Sequence, residues 1–352
     1  KQQFYEIHPD LYRALSAIDP IRLGPIAKVM APFARLLRLG ATGIRASFGL
    51  IKNPIRDSLT YAVFSKKPTA TVFDPILGVY KDITAKPGDP AFRFKAAGGE
   101  ISTQMGYDRN AVMMVYDEMM IRKKAFPKTL MVVKHPIDTL RKLFQVPEMG
   151  PRIAELESSM KRYPKEHPDW SDEDVWVKSF NDAGDVTINF TRSGRIGRRA
   201  NEITAFFNVG MQGPSKLARQ FEEAPTATVI KGLAWLTPIA MYSWYNNKDK
   251  QWYKNLPDSY KYNNLWFEFS DQIVRLPIPF ELGIIFQSLP VAIADKDFSR
   301  NPKEYEGLID LIKMQIPNII PTMFQPLIDV ISNKDFMGRP IESEGMKYLT
   351  ST

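Results

Sequence analysis

The sequence predicts a mainly α protein, irregular, multi-helical and proline-rich, with long extended connections and a minor β element near 186–191. Three observations carry this. The 27 prolines and 20 glycines fall between apolar pieces rather than in one tract, which gives short helices separated by bends. Residues 26 to 39 place Ile26, Val29, Met30, Phe33, Leu36 and Leu37 at the three-and-four spacing of one helix face. In "DVTINF", Val186, Ile188 and Phe190 alternate with Thr187, Asn189 and Thr191 after an "NDAGD" turn, the period of a strand.

Composition sets the frame for the elements. The 352 residues are 44% hydrophobic and 24% charged, the balance of a folded chain with room for two cores. Lys and Arg outnumber Asp and Glu by 47 to 39, and the pI near 9.3 favours polyanionic neighbours. The absence of cysteine excludes disulfides, thiolate zinc sites, iron–sulfur clusters and cysteine nucleophiles. No secretory signal is legible at the start, and the opening at Lys1 fits a piece of a longer polypeptide.

Residues 1–57 read as a basic helical arm. Short turns broken by Pro9 and Pro20 lead into "IRLGPIAKVMAPFARLLRLGATGIRASFGLIKNPIR", 36 positions with seven basic side chains and no acid. Lys28, Arg35 and Arg38 fall opposite the apolar stripe, and Gly40 ends the helix. A second helix is expected from about 42 to 52, then "NPIRD" is expected to turn the chain and start another. Lys28, Arg35, Arg38, Arg45, Lys52 and Arg56 are candidate contacts to nucleic acid or anionic lipid. The competing reading is a surface helix whose apolar stripe faces the core.

Residues 58–200 read as a mainly helical middle region. It opens on a proline-rich connection, "SKKPTATVFDPILGVYKDITAKPGDP", in which Val72, Phe73, Ile76, Leu77, Val79 and Tyr80 are expected to be buried. Helix is expected over most of 108–146, and Ser171 is expected to cap a helix with acids in its first turn. "TRSGRIGRRANE", 191–202, is taken as the main boundary. Its Arg195, Arg198 and Arg199 could clamp a nucleic-acid backbone or sit in a charged interdomain loop.

No catalytic or metal motif stands out. His8, His135 and His167 are isolated from one another, no nucleophile elbow or phosphate-binding glycine loop occurs, and the 39 acids define no pair. No cofactor and no metal are expected. "GLAWLTPIAMYSWYNN", 232–247, has 16 uncharged residues, fewer than the roughly 18 to 20 of a spanning helix. The aromatic cluster from Tyr242 to Phe269, with lysines interleaved, is read as core and protein packing, with base stacking or a membrane interface as the alternatives.

The last part carries a resemblance. "DQIVRLPIPFELGIIFQSLPVAIAD", 271–295, joins a strand-like approach to a short helix beginning near Phe280, with Pro277 and Pro279 extending the backbone and Glu281 at the helix start. With "NEITAFFNVGMQGPSKLARQF", "YKNLPDSY" and "IPNIIPTMFQPLIDVISNKDFMGRPI" it resembles a large polyvalent-protein-associated domain of bacteriophage giant proteins over about the last 150 residues. Pro277, Pro279, Phe280, Glu281, Gly283, Pro321, Pro326, Asn333, Phe336, Gly338 and Pro340 carry the motif, and 201–352 is assigned to this domain.

The resemblance implies a non-catalytic segment of an internal virion, or ejection, protein of a short-tailed phage, located in the capsid interior and then the host cell envelope. The partners it implies are packaged phage DNA, the portal or other internal virion proteins, the host membrane, and further copies of the chain. A membrane-conduit segment, or a non-catalytic part of an antirestriction or wall-degrading polyvalent enzyme, is the alternative.

Overall fold

The computed structural model describes residues 24–38, 48–99, 136–189, 195–256, 258–270, 272–295 and 321–333. The described residues are mainly helical, with one two-stranded antiparallel sheet among them. The expected turns of 1–20, the cap at Gly40, and most of the helix expected over 108–146 lie outside the described residues.

Helix α1 spans Pro25–Arg38. A π-helical turn at Phe48–Lys52 runs directly into α2, Asn53–Phe64, so "NPIRD" starts a helix as expected but without the intervening turn. Pro54 sits in the first turn of α2, where a missing N–H costs no hydrogen bond.

The same device corrects the reading of the proline-rich connection. Pro75 opens α3, Asp74–Thr84, and Pro90 opens α4, Pro90–Ala96. Expected burial is reversed on α3: Phe73, Ile76, Leu77 and Tyr80 are 63–66% exposed, while Pro75, Gly78 and Asp82 face inward. The reason is contact distance. Gly78 lies against α5, Pro136–Glu166, so closely that a β-carbon there would stand 1.9 Å from the Gly150 carbonyl oxygen. The small residues make the close face, and the large apolar ones are left outside.

Helix α6, Asp172–Asp185, starts at Ser171 as expected, with a full capping box: the Asp174 N–H donates to Ser171 Oγ at 3.2 Å, and the Ser171 N–H to Asp174 at 3.0 Å. The stretch after it is not a strand. Residues 186–189 are irregular, and Phe190 and Thr191 lie outside the described residues. Side chains take the carbonyls that a neighbouring strand would have taken: Lys216 donates to Val186 O at 2.7 Å and Thr187 O at 3.2 Å, and Arg152 to Ile188 O at 3.2 Å.

The second half continues with α7, Arg195–Ile203; α8, Phe207–Glu223; α9, Pro225–Lys231; a π-helical turn, Gly232–Leu236; and α10, Thr237–Asn247. The short helices α11, Gln251–Lys254, and α12, Asp258–Tyr262, lead to the sheet. Strands β1, Asn264–Phe269, and β2, Gln272–Pro277, pair antiparallel with Trp266 opposite Arg275 and Phe267 opposite Val274. Among the described residues this hairpin, and not 186–189, is the minor β element. Ser243 Oγ on α10 both donates to Trp266 O at 2.9 Å and accepts from its N–H at 2.7 Å, which holds β1 on the helix.

Helix α13, Phe280–Gly283, begins at Phe280 as expected and passes through a π-helical turn, Ile284–Ser288, into α14, Leu289–Asp295. A 3-10 turn, Thr322–Phe324, precedes α15, Gln325–Ser332. The largest core joins Leu59, Val63 and Phe64 of α2 to Leu236, Ala240, Leu265, Ile278, Leu282 and Phe286. Residues from both sides of position 201 therefore share one interior. A second core packs Phe94, Met149, Ile153, Leu156 and Trp176.

Candidate functional site

The arm cations are largely used within the chain. Arg38 is 5% exposed and donates to Asn201 O on α7, while Arg35 pairs with Glu202 at 3.3 Å. Arg56 on α2 binds Asn53 and Asp57. Lys28 is exposed, Lys52 is half-buried and engaged, and Arg45 lies outside the described residues. Arg195, Arg198 and Arg199 form part of a helix rather than a loop; Arg199 is exposed, and the side chains of the other two lie outside the described residues. The arm and boundary segments do meet, as α1 on α7, where Arg38 and Arg35 reach Asn201 and Glu202. The stripe Ile26, Val29, Phe33, Leu36 and Leu37 is 45–75% exposed, the reverse of a core-facing stripe.

A different set of cations comes together between α3 and α5. There an open-sided groove of about 430 Å³ is lined by Lys67, Lys81, Lys161, Arg162 and Lys165 against two carboxylates, Asp74 and Glu157. Lys161 and Lys165, one helical turn apart, project from the same side of α5. Lys81 reaches across from α3 to Glu157 at 2.5 Å, with Lys161 at 3.7 Å from the same carboxylate. Lys67 is fixed by Asp74 at 2.9 Å, and Arg162 donates to Lys66 O. Tyr61 is fully buried at the groove floor, and its desolvated phenol is held protonated, its pKa raised by burial. The excess of cations over carboxylates makes this a place for a polyanion. Sequence reading missed it because its members are spread over a hundred residues; the one available signal was the run of Lys161, Arg162 and Lys165 without intervening acids.

A second constellation lies inside. Lys216 turns its ammonium inward onto the Val186 and Thr187 carbonyls and 4.1 Å from the Phe64 ring centroid. Burial pushes its pKa down to about 7, against the opposing pull of Asp185 and Asp57. Glu281 shares a small cavity with it, and burial holds that carboxyl above the usual carboxylate range. Arg152 is also enclosed, donating to Thr187 Oγ1 at 3.1 Å and Gly99 O at 3.2 Å, its pKa lowered by burial. The hydrogen bonds of Lys216 and Arg152 tie α8 and α5 to the 186–188 segment and to Gly99.

Most motif residues of the last part serve the backbone. Pro277 ends β2, Pro279 O accepts from the Gly283 N–H at 2.7 Å, and Pro326 opens α15, which Asn333 ends in a left-handed conformation. A β-carbon on Gly283 would come within 2.6 Å of Ile278. Pro321 precedes the 3-10 turn, the Phe280 side chain is outside the described residues, and so are Phe336, Gly338 and Pro340. Of the aromatic cluster, Tyr253, Tyr262 and Trp266 are buried, while Tyr242 and Tyr245 are 64% and 68% exposed. Among the described residues no group of acids and histidines could hold a metal ion, and no helix is long and apolar enough to cross a membrane.

Fold and motif thus define a mainly helical protein, punctuated by proline, with a short hairpin near its last third. Residues 250–351 match the family model described as Large polyvalent protein associated domain 38, which associates this part of the chain with the large polyvalent proteins of bacteriophages. No curated protein and no solved structure matches the chain.

Proposed function

We propose that the chain is a non-catalytic structural and interaction segment of an internal virion protein, packaged near the portal and the phage DNA and delivered with the genome into the host envelope. The observation that supports it is the cationic groove between α3 and α5, where five basic side chains face two carboxylates. Such a surface suits a nucleic-acid backbone, whose bound counterions are released when lysines replace them. Binding to short DNA should weaken as salt rises, and replacing Lys81, Lys161 and Lys165 together by Gln should reduce the slope of log affinity against log salt by about 2. A variant with the parent slope would remove the groove from this role, and turnover in an activity screen for nuclease or peptidoglycan cleavage would overturn the non-catalytic reading.

The exposed stripe of α1 favours a second reading, in which this helix lies on an anionic membrane after delivery. Flotation with anionic vesicles, lost in a Phe33→Gln, Leu36→Gln variant, is the outcome it requires; no flotation rejects it.

A further inference from the structure

We infer that the groove takes a single-stranded polynucleotide, with phosphates along the lysines of α3 and α5 and bases on the exposed stripe of α3. The inference rests on the groove's being a polyanion site and names its ligand.

Three features of the site point the same way. Leu77 lines the groove, and Phe73 and Tyr80, four residues before it and three after, share its stripe on the helix. All three, two of them aromatic, are 63–66% exposed, although large apolar side chains are more often covered. The stripe therefore stands as the outer lip of a groove whose inner wall is positive. A duplex keeps its base faces stacked on one another and offers the lip nothing, whereas a single strand presents a π-face at every base and a phosphate beside it.

The groove is also a recess rather than a flat face, enclosing about 430 Å³ between the two helices. A flat lipid surface could cover the lip but would not follow Lys67, Lys81 and Lys161 into the recess, which is why a polynucleotide is favoured over a bilayer.

The test compares fluorescence anisotropy of labelled oligothymidylate with that of a duplex of the same length, across a salt series, using the full chain. The single strand should bind about tenfold tighter or more. A Phe73→Ala, Tyr80→Ala variant should lose about 10- to 100-fold for the single strand, with duplex binding and the salt slope unchanged. Both side chains are exposed, so the urea midpoint should hold and report that the fold is intact. Equal affinity for the two forms, with the aromatic variant neutral, overturns the inference and leaves the groove a general polyanion site. Binding of neither form at low salt overturns the groove reading itself. An aromatic variant that loses only vesicle flotation would assign the lip to lipid.

Discussion

Gly78 and Gly150 meet backbone to backbone: a β-carbon on Gly78 would stand 1.9 Å from the Gly150 carbonyl oxygen and 2.8 Å from its carbon. The contact draws α3 onto α5 and so forms the walls of the groove. Gly78→Ala should cost about 3 kcal/mol or more, because neither backbone can give way without separating the helices. Urea unfolding measures this, and the same variant should weaken oligonucleotide binding.

Gly213 makes a useful contrast. A β-carbon there would meet Glu281 Oε1 at 2.1 Å, but that atom ends a side chain that can swing away. Gly213→Ala should therefore change stability by no more than about 1 kcal/mol, since the better helix propensity of alanine offsets the displacement. A loss as large as that of Gly78→Ala would mean that Glu281 is locked in place.

Glu281 itself gives a pH signature. Its folded pKa is raised by burial, so the folded state holds this proton to higher pH than the unfolded chain does. Stability is therefore lost as pH rises from the ordinary carboxylate value through the folded one. Glu281→Gln should raise the urea midpoint relative to the parent at pH 8 and bring no gain at pH 4.

Lys216 works in the opposite sense. Its folded pKa, lowered to about 7 by burial, lies below the ordinary lysine value near 10.4. Between those values the unfolded chain binds more protons, so stability rises with pH across this window, by an amount on the order of a few kcal/mol. The charged and titratable groups around it are Asp57, Asp185, Arg152, Arg219 and Glu281, with Lys66, Glu155, Asp182 and Glu223 across an adjoining cavity. Lys216→Met should flatten the rise between pH 7 and 9.5 even if it lowers stability throughout by leaving the Val186 and Thr187 carbonyls unpaired. A rise as steep as the parent's would assign the pH dependence to other groups.

What could be read from the sequence was what local chemistry decides. The helix at 25–38, the Ser171 cap, the extended run into Pro277 and the helix starting at Phe280 all follow from spacing, capping and proline geometry within a few residues. Prolines were the main source of error. Pro75 and Pro90, read as parts of an extended connection, begin helices instead, and Pro54, Pro225, Pro238 and Pro326 occupy the same first-turn positions.

The groove was not legible, because nothing in the local pattern near Lys67 or Lys81 foretells α5 lying opposite. The run at 186–191 failed for a related reason. Its alternation is real, but Lys216 and Arg152 reach its carbonyls from other elements, and local period carries no information about such competitors.

The arm helix supplies the sharpest test of where its charge is used. Arg38 is 5% exposed and gives a hydrogen bond to Asn201 O, while Arg35 pairs with Glu202 at the helix edge with 37% of its side chain exposed. Arg38→Met removes the hydrogen bond of a buried guanidinium to a part-buried carbonyl, which costs about 1–3 kcal/mol, whereas Arg35→Gln removes a partly solvated pair worth roughly 0–1 kcal/mol. Hydrogen exchange should therefore show faster exchange across α1 in Arg38→Met, little change in Arg35→Gln, and unaltered protection in α5 for both. If Arg38→Met instead left α1 protected and flattened the salt dependence of DNA binding, the arginine would be a phosphate contact rather than the fastening of α1 to α7.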